Sequence, residues 1–230
     1  MVSDKKELNI AVIVEGDEEE CLFSIAKETG HVNPVLNVEI INAGGEGNVP
    51  SHFQDYHSNP IYDCTLAVYD VDNKGDCDDS IYKVVKNKLE CIVGDCVNDV
   101  SFCTNPNILQ ILLLGCDDIK KVSLVSTSKA RNEQLVSKYW PMITKKFKNG
   151  KQIKKGYDAS NYQLEIIKNS FLYEEEPSYD YETLLSNASE LPLDYEAECP
   201  ASNVHVLLKA IKDGDIEFFQ KIIDKTKKED

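Results

Sequence analysis

A chain of 230 residues with 42% apolar composition has material for one substantial core, or one core with a smaller lobe. A formal charge of −15 excludes a protein that simply coats nucleic acid, because phosphate binding runs on Lys and Arg. No apolar run of about 18 residues exists, and the charged start, Met1 to Leu8, does not read as a secretory leader. The expectation is a cytoplasmic protein with no membrane partner.

Residues 8–14, Leu-Asn-Ile-Ala-Val-Ile-Val, are short, apolar and β-branched, and predict a buried strand closed by Gly16. Asp17 to Lys27 follows as a helix with acids in its first turn and Leu22, Phe23, Ile25 and Ala26 on its apolar face. Leu36 to Ile41 predicts a second strand, ended by the turn at 43–47, and Val49 to His57 a helix. Gly44-Gly45-Glu46-Gly47 lacks the Lys-Ser or Lys-Thr of a phosphate-cradling loop and reads as a turn. Cys64 to Tyr69 is a third strand running into Asp70-Val71-Asp72. A helix from Ser80 to about Leu89 carries Ile81, Val84, Val85 and Leu89 on one face. Val100 to Cys103 is a fourth strand, and Ile108 to Leu114 reads as helical.

From about Ser123 the chain reads as mainly helical, which predicts an α/β domain at 1–122 and a helical region at 123–230. Gln134 to Ile143 and Asn161 to Phe171 carry helical spacing. The tract from Glu174 to Cys199, rich in Tyr and broken by Pro177 and Pro192, reads as irregular. Asn203 to Ile211 and Asp215 to Ile223 read as two closing helices, the first preceded by a turn and cap at Pro200–Asn203.

Charge is unevenly distributed along this second half. Residues 129–155 hold eight Lys and Arg131 against Glu133 alone, and residues 171–200 hold nine acids with no Lys or Arg. These are either two solvated faces or a phosphate-tracking patch followed by an acidic segment that covers it or binds a partner. If the segment is a cover, trimming residues 174–199 raises activity and its salt sensitivity.

Eight cysteines are scattered without a C-x-x-C pair, which predicts reduced, mostly buried thiols; Cys91, Cys96 and Cys103 form the alternative cluster. His52 and His57 read as surface residues and His205 as structural. Trp140 and the tyrosines at 173, 179, 181 and 195 either stack bases or pack a lobe.

Alternating strands and helices predict a parallel, doubly wound sheet, whose active site forms at the carboxyl ends of the strands. The first strand ends in Val14-Glu15-Gly16 and the third in Asp70-Val71-Asp72, so neighbouring strands bring carboxylates to one edge. Residues two apart in a strand share a face. Hard oxygen donors of this kind suit Mg²⁺ or Mn²⁺, and a cation removes the repulsion among them.

Ile13-Val14-Glu15-Gly16-Asp17-Glu18-Glu19 followed by Val68-Tyr69-Asp70-Val71-Asp72 resembles the TOPRIM domain, with one Glu after its first strand and Asp-x-Asp after its third. More particularly the chain resembles RloB-like TOPRIM proteins, relatives of the overcoming-lysogenization-defect (OLD) nucleases. Their V-E-G-x-x-E-x-x-Y-F pattern is matched by Val14-Glu15-Gly16, Glu19 and Phe23. Their S-N-P segment before an apolar helix is matched by Thr104-Asn105-Pro106 and Ile111 to Leu114, and Pro200 to His205 resembles the stretch before their last helices. Two departures stand out. Val71 replaces the usual Arg between the aspartates, and Asn107-Ile108-Leu109-Gln110 lacks the usual Glu.

The resemblance implies a TOPRIM (Rossmann-like) sheet flanked by helices and metal-assisted phosphodiester chemistry on DNA, or on RNA such as tRNA. Glu15, Asp70 and Asp72 would hold Mg²⁺ (or Mn²⁺). Glu15 would serve as ligand or as general acid or base, and Glu19 would complete the set or orient a water, or simply favour the helix N-terminus. Lys129, Arg131, Lys145, Lys146 and Lys148 would contact the nucleic acid backbone. The implied setting is a bacterial antiviral defence or toxin-type system, with a partner protein of that system and a possible homo-oligomer. The competing expectation is a catalytically weak or inactive scaffold that binds or regulates a partner, favoured by the charge and the two departures.

Overall fold

The computed structural model describes residues 7–71, 80–115 and 180–227. A five-stranded sheet carries the order β2-β1-β3-β4-β5. Its strands are β1 (Leu8–Val14), β2 (Leu36–Asn42), β3 (Cys64–Asp70), β4 (Ser101–Asn105) and β5 (Ala201–Ser202). The first four run parallel, with Val14 opposite Asn42 and Val68, and Asp70 opposite Thr104; β5 runs antiparallel on β4, Ser202 opposite Thr104. The α/β expectation holds: a mainly parallel, Rossmann-like central sheet is flanked by helices.

The helices are α1 (Asp17–Glu28), α2 (Val49–His57), α3 (Ile81–Val93), α4 (Val97–Val100), α5 (Leu109–Leu113), α6 (Tyr181–Ala188), α7 (Val204–Asp213) and α8 (Ile216–Thr226). The chain leaves β1 toward one edge, to β2, then crosses back over β1 to reach β3 and continues to β4. Right-handed crossovers therefore put α1 on one face and α2 and α3 on the other. The direction of travel switches between β1 and β3, and in such sheets the crevice outside the carboxyl ends of the two switch strands is where ligands bind.

Burial explains why β1 and β3 are central. Ile10 to Val14 are wholly buried, and every residue of β3 from Cys64 to Asp70 is buried. Continuous apolar strands are what a sheet covered on both faces demands. Helix ends are capped by short polar side chains: Ser80 accepts from Lys83 N at 3.3 Å, Asp180 from Thr183 N at 2.7 Å, and Asp215 from Phe218 N at 3.0 Å. α7 ends at Gly214 with φ 65°, where an added Cβ would meet the Asn33 amide at 2.5 Å. Only glycine fits both conditions.

Several expectations are corrected. The buried stripe of α3 is Tyr82, Val85 and Leu89, whereas Ile81 and Val84 are 51% and 43% exposed. The stripe is rotated toward Tyr82 because its ring packs beside Tyr69, with centroids 5.8 Å apart, and its hydroxyl donates to Glu196 Oε1 at 2.5 Å. The acidic tract is helical over Tyr181–Ala188 and irregular, as expected, from Ser189 to Cys199. Tyr181, Leu184 and Ala188 are buried at helical spacing on α6, Leu191 and Tyr195 are buried in the irregular stretch after it, and Glu182 pairs outward with Lys212 and His31. Tyr181 and Tyr195 are thus packing residues and have no face open to a base. Asn203 does not cap α7 with its side chain. Its Oδ1 accepts from Cys103 N at 2.7 Å, its Nδ2 donates to Ser101 O at 3.2 Å, and Ser202 Oγ accepts from Val204 N.

The thiols of Cys21, Cys64 and Cys103 are free and buried, and that of Cys91 is free and exposed. Among the described residues no helix is long and apolar enough to cross a membrane. The boundary at 122/123, the helical spacings at 134–143 and 161–171, Trp140, Tyr173 and Tyr179 lie outside the described residues.

Candidate metal centre

Glu15 leaves the end of β1 at the switch crevice and is fixed on three sides. Its N–H donates to Val68 O at 3.0 Å and its carbonyl accepts from Gly45 N at 2.8 Å. Its Oε2 accepts from Asp70 N at 3.0 Å. The turn after β2 is therefore part of the site's frame. Gly45 has φ 135°, a conformation open to glycine, and Asn42 links the same loop to α1 by donating to Asp17 and Glu20, each at 2.9 Å.

Glu19 reaches the same point from the first turn of α1. Its Oε2 accepts from Gly16 N at 2.9 Å, the carboxylate half of a capping box. Cysteine 21, Leu22, Phe23 and Ile25 bury the inner face of the helix and hold Glu19 at the sheet edge, where it is 3% exposed. Burial first, then the carboxylates of Glu15 and Glu18, pushes the Glu19 carboxyl well above its ordinary range. Among the described residues, no Lys or Arg forms an ion pair with it.

Asp70, 8% exposed at the end of β3, has Oδ1 accepting from Ile108 N at 2.9 Å. Oxygens of Glu15, Glu19 and Asp70 lie within 4.8 Å of one another. Carboxylate oxygens, acidic and half-sequestered from water, are the donor set a hard divalent cation requires. The residues present fit such an ion. They also fit its electrostatic logic, since like charges this close and this buried oppose one another without one.

Asp72, Lys129, Arg131, Lys145, Lys146 and Lys148 lie outside the described residues. His52 and His57 are away from the cluster; His57 stacks on Phe53, and burial with the Lys227 ammonium lowers its pKa. The Cys91–Cys96–Cys103 alternative gains nothing from the fold, since Cys103 is buried in β4 while Cys91 is exposed on α3.

Other residues that shape the site stood out in the sequence only as a turn (Gly45) or as a departure from the resembled pattern (Asn107, Ile108 and Gln110), not as site residues. Gly45 and Ile108 act through backbone amides, which leave no mark on residue type. Asn107, next to Ile108, is 2% exposed and its Oδ1 has no partner. Gln110, wholly buried, ties down the same turn. The signals for these were the glycine-rich turn at 44–47 and the Asn105-Pro106 pair directly after a strand.

No family model matches the chain, and no curated protein matches it. Among solved structures it is similar to the C-terminal region of the Burkholderia pseudomallei OLD protein, with TM-score 0.38 and 18% identity, over 89% of this chain and 97% of that one.

Proposed function

We propose that this chain is a metal-dependent phosphodiesterase of the TOPRIM type, a nuclease acting on DNA or on RNA such as tRNA. The observation that carries the reading is the convergence of Glu15, Glu19 and Asp70 oxygens at the switch between β1 and β3. The RloB-like motifs around Glu15, Asp70 and Asn105-Pro106 support it.

Glu15 and Asp70, with Asp72 two residues on, would hold Mg²⁺ or Mn²⁺. Such an ion, when bound, stabilises charge on a phosphate and its leaving oxygen. Glu15 is positioned at the sheet edge by its bond from Asp70 N. Glu19, whose carboxyl is pushed well above its ordinary range by burial and by the neighbouring carboxylates, would serve as a proton donor or acceptor beside them. Lys129, Arg131, Lys145, Lys146 and Lys148 would track the nucleic acid backbone. The setting we infer is cytoplasmic, in a bacterial antiviral defence or toxin-type system with a partner protein and possible self-association.

A second reading, a catalytically weak or inactive scaffold that binds or regulates a partner, is favoured by the net charge of −15, by Val71 in place of the usual Arg and by Asn107-Ile108-Leu109-Gln110 lacking the usual Glu. Cleavage of mixed DNA and total RNA with Mg²⁺ or Mn²⁺, comparing the natural chain with Asp70→Ala/Asp72→Ala, separates the two. Metal-dependent cutting lost in the variant is the expected result. Equal cutting by both proteins would remove the assignment of the site, and no cutting by either would favour the scaffold.

A further inference from the structure

Asp70 depends on the turn that follows β4. The donor to its Oδ1 is the backbone N–H of Ile108, 2.9 Å away, and a backbone donor is only as well placed as the turn that carries it. This turn has little regular structure of its own between Asn105 and the short helix α5. It is tied instead by two buried amides.

Gln110 reaches backward, its Nε2 donating to Asn105 O at 3.1 Å and to Ala201 O at 3.0 Å. Asn105 reaches outward, its Nδ2 donating to Tyr195 O at 2.9 Å and to Glu198 O at 3.1 Å. Both amides thus bind the Ile108 turn to the end of the acidic tract, residues 195–201. Gln110 is wholly buried and its Oε1 has no partner. A buried acceptor without a donor is unfavourable, and an apolar side chain of the same length would avoid it. The two N–H bonds are what Gln110 contributes at this position.

We propose that Gln110 is a positioning residue for Asp70. It acts through the turn, holding Ile108 N–H against the carboxylate, and it couples that carboxylate to the 195–201 segment. This rests on the metal-centre reading above. Two consequences follow. Groups that orient a ligating side chain typically change metal affinity by about 10- to 100-fold when removed. Coupling is also reciprocal, so a cation at Asp70 must steady residues 195–201.

The test uses the full chain. Mn²⁺ is titrated into the natural protein and Gln110→Met, with binding followed by electron paramagnetic resonance and folding by circular dichroism at the same temperature. A folded Gln110→Met that binds Mn²⁺ about tenfold more weakly supports the proposal. A folded Gln110→Met of unchanged affinity overturns it, since a merely structural glutamine would alter melting alone. If the variant does not fold, amide hydrogen exchange of the natural chain with and without saturating Mg²⁺ decides. Slower exchange at Tyr195 and Glu198 with no change in α8 supports the coupling, and unchanged exchange at Tyr195 and Glu198 overturns it. A natural chain that binds no Mn²⁺ overturns the metal centre itself, and this inference with it, a result distinct from binding that survives in the variant.

Discussion

The carboxylate of Glu15 accepts the backbone N–H of Asp70 at 3.0 Å, across 55 residues of sequence. One acid of the cluster therefore orients the peptide that carries the next. Glu15→Gln keeps an oxygen acceptor for that N–H and loses the charge, whereas Glu15→Ala loses both. Both variants are expected to weaken Mn²⁺ binding at least tenfold. Only Glu15→Ala should also lose stability, by about 1–3 kcal/mol, because it strands a buried donor. Mn²⁺ titration and urea unfolding of the two variants check this; equal stability losses would contradict it.

Glu19 is buried against two other acids, so it opposes folding whenever it is ionised without a cation. Its folded-state pKa lies above its ordinary value of 4.5, so the folded state binds the proton more tightly. The contribution of Glu19 to stability without divalent ions is then fully present below pH 4.5 and is lost as pH rises toward its folded pKa. Glu19→Gln should flatten that fall and raise stability near neutrality by about 0.5–2 kcal/mol. Adding Mg²⁺ should reverse the order, because the ion stabilises the natural chain by mass action. Thermal melts in a chelator and in Mg²⁺ give the comparison.

His205 is buried in α7 with Nδ1 unpartnered, and burial lowers its pKa below 6.5. The folded state resists the proton that the unfolded chain takes up, so this contribution is complete above pH 6.5 and is lost as pH falls below it. His57 acts in the same direction. The loss is bounded at about 1.4 kcal/mol per pH unit for each proton. His205→Leu should show a shallower decline in urea midpoint between pH 7.5 and 5.5 than the natural chain; an identical decline would assign the effect elsewhere.

Leu184 is wholly buried on α6, inside the acidic tract. Leu184→Ala is expected to cost about 2–5 kcal/mol in chemical unfolding. A loosely attached tract would lose no more than about 0.5 kcal/mol. The same packing means that deleting 174–199 removes Leu184, Leu191 and Tyr195 from the core, together with the carbonyls that Asn105 holds. Such a deletion reports on folding before it reports on any cover over a basic patch.

How much was legible beforehand differs by element. β1, α2 and the two closing helices are local patterns: an apolar β-branched run, and apolar residues three and four apart beside a cap or a Gly break. The acids at the ends of β1 and β3 were legible for the same reason, since a parallel sheet places strand ends together. The stripe of α3 was misplaced by one position because a phenol counts as apolar only where its hydroxyl finds a partner, and that partner, Glu196, is 114 residues away. Helix α6 was missed because its acids hid the spacing of Tyr181, Leu184 and Ala188.

From the sequence alone came the α/β class, the order of the elements and the proposal that Glu15 and Asp70 share an edge, because hydrophobic period and strand ends are written in neighbouring residues. Tertiary structure alone decided that Glu19 turns inward to join them, that Ile108 N–H holds Asp70, and that Gln110 binds Ala201 across 91 residues. Backbone donors and long-range amide bonds carry no residue pattern of their own; they exist only once distant segments pack against one another.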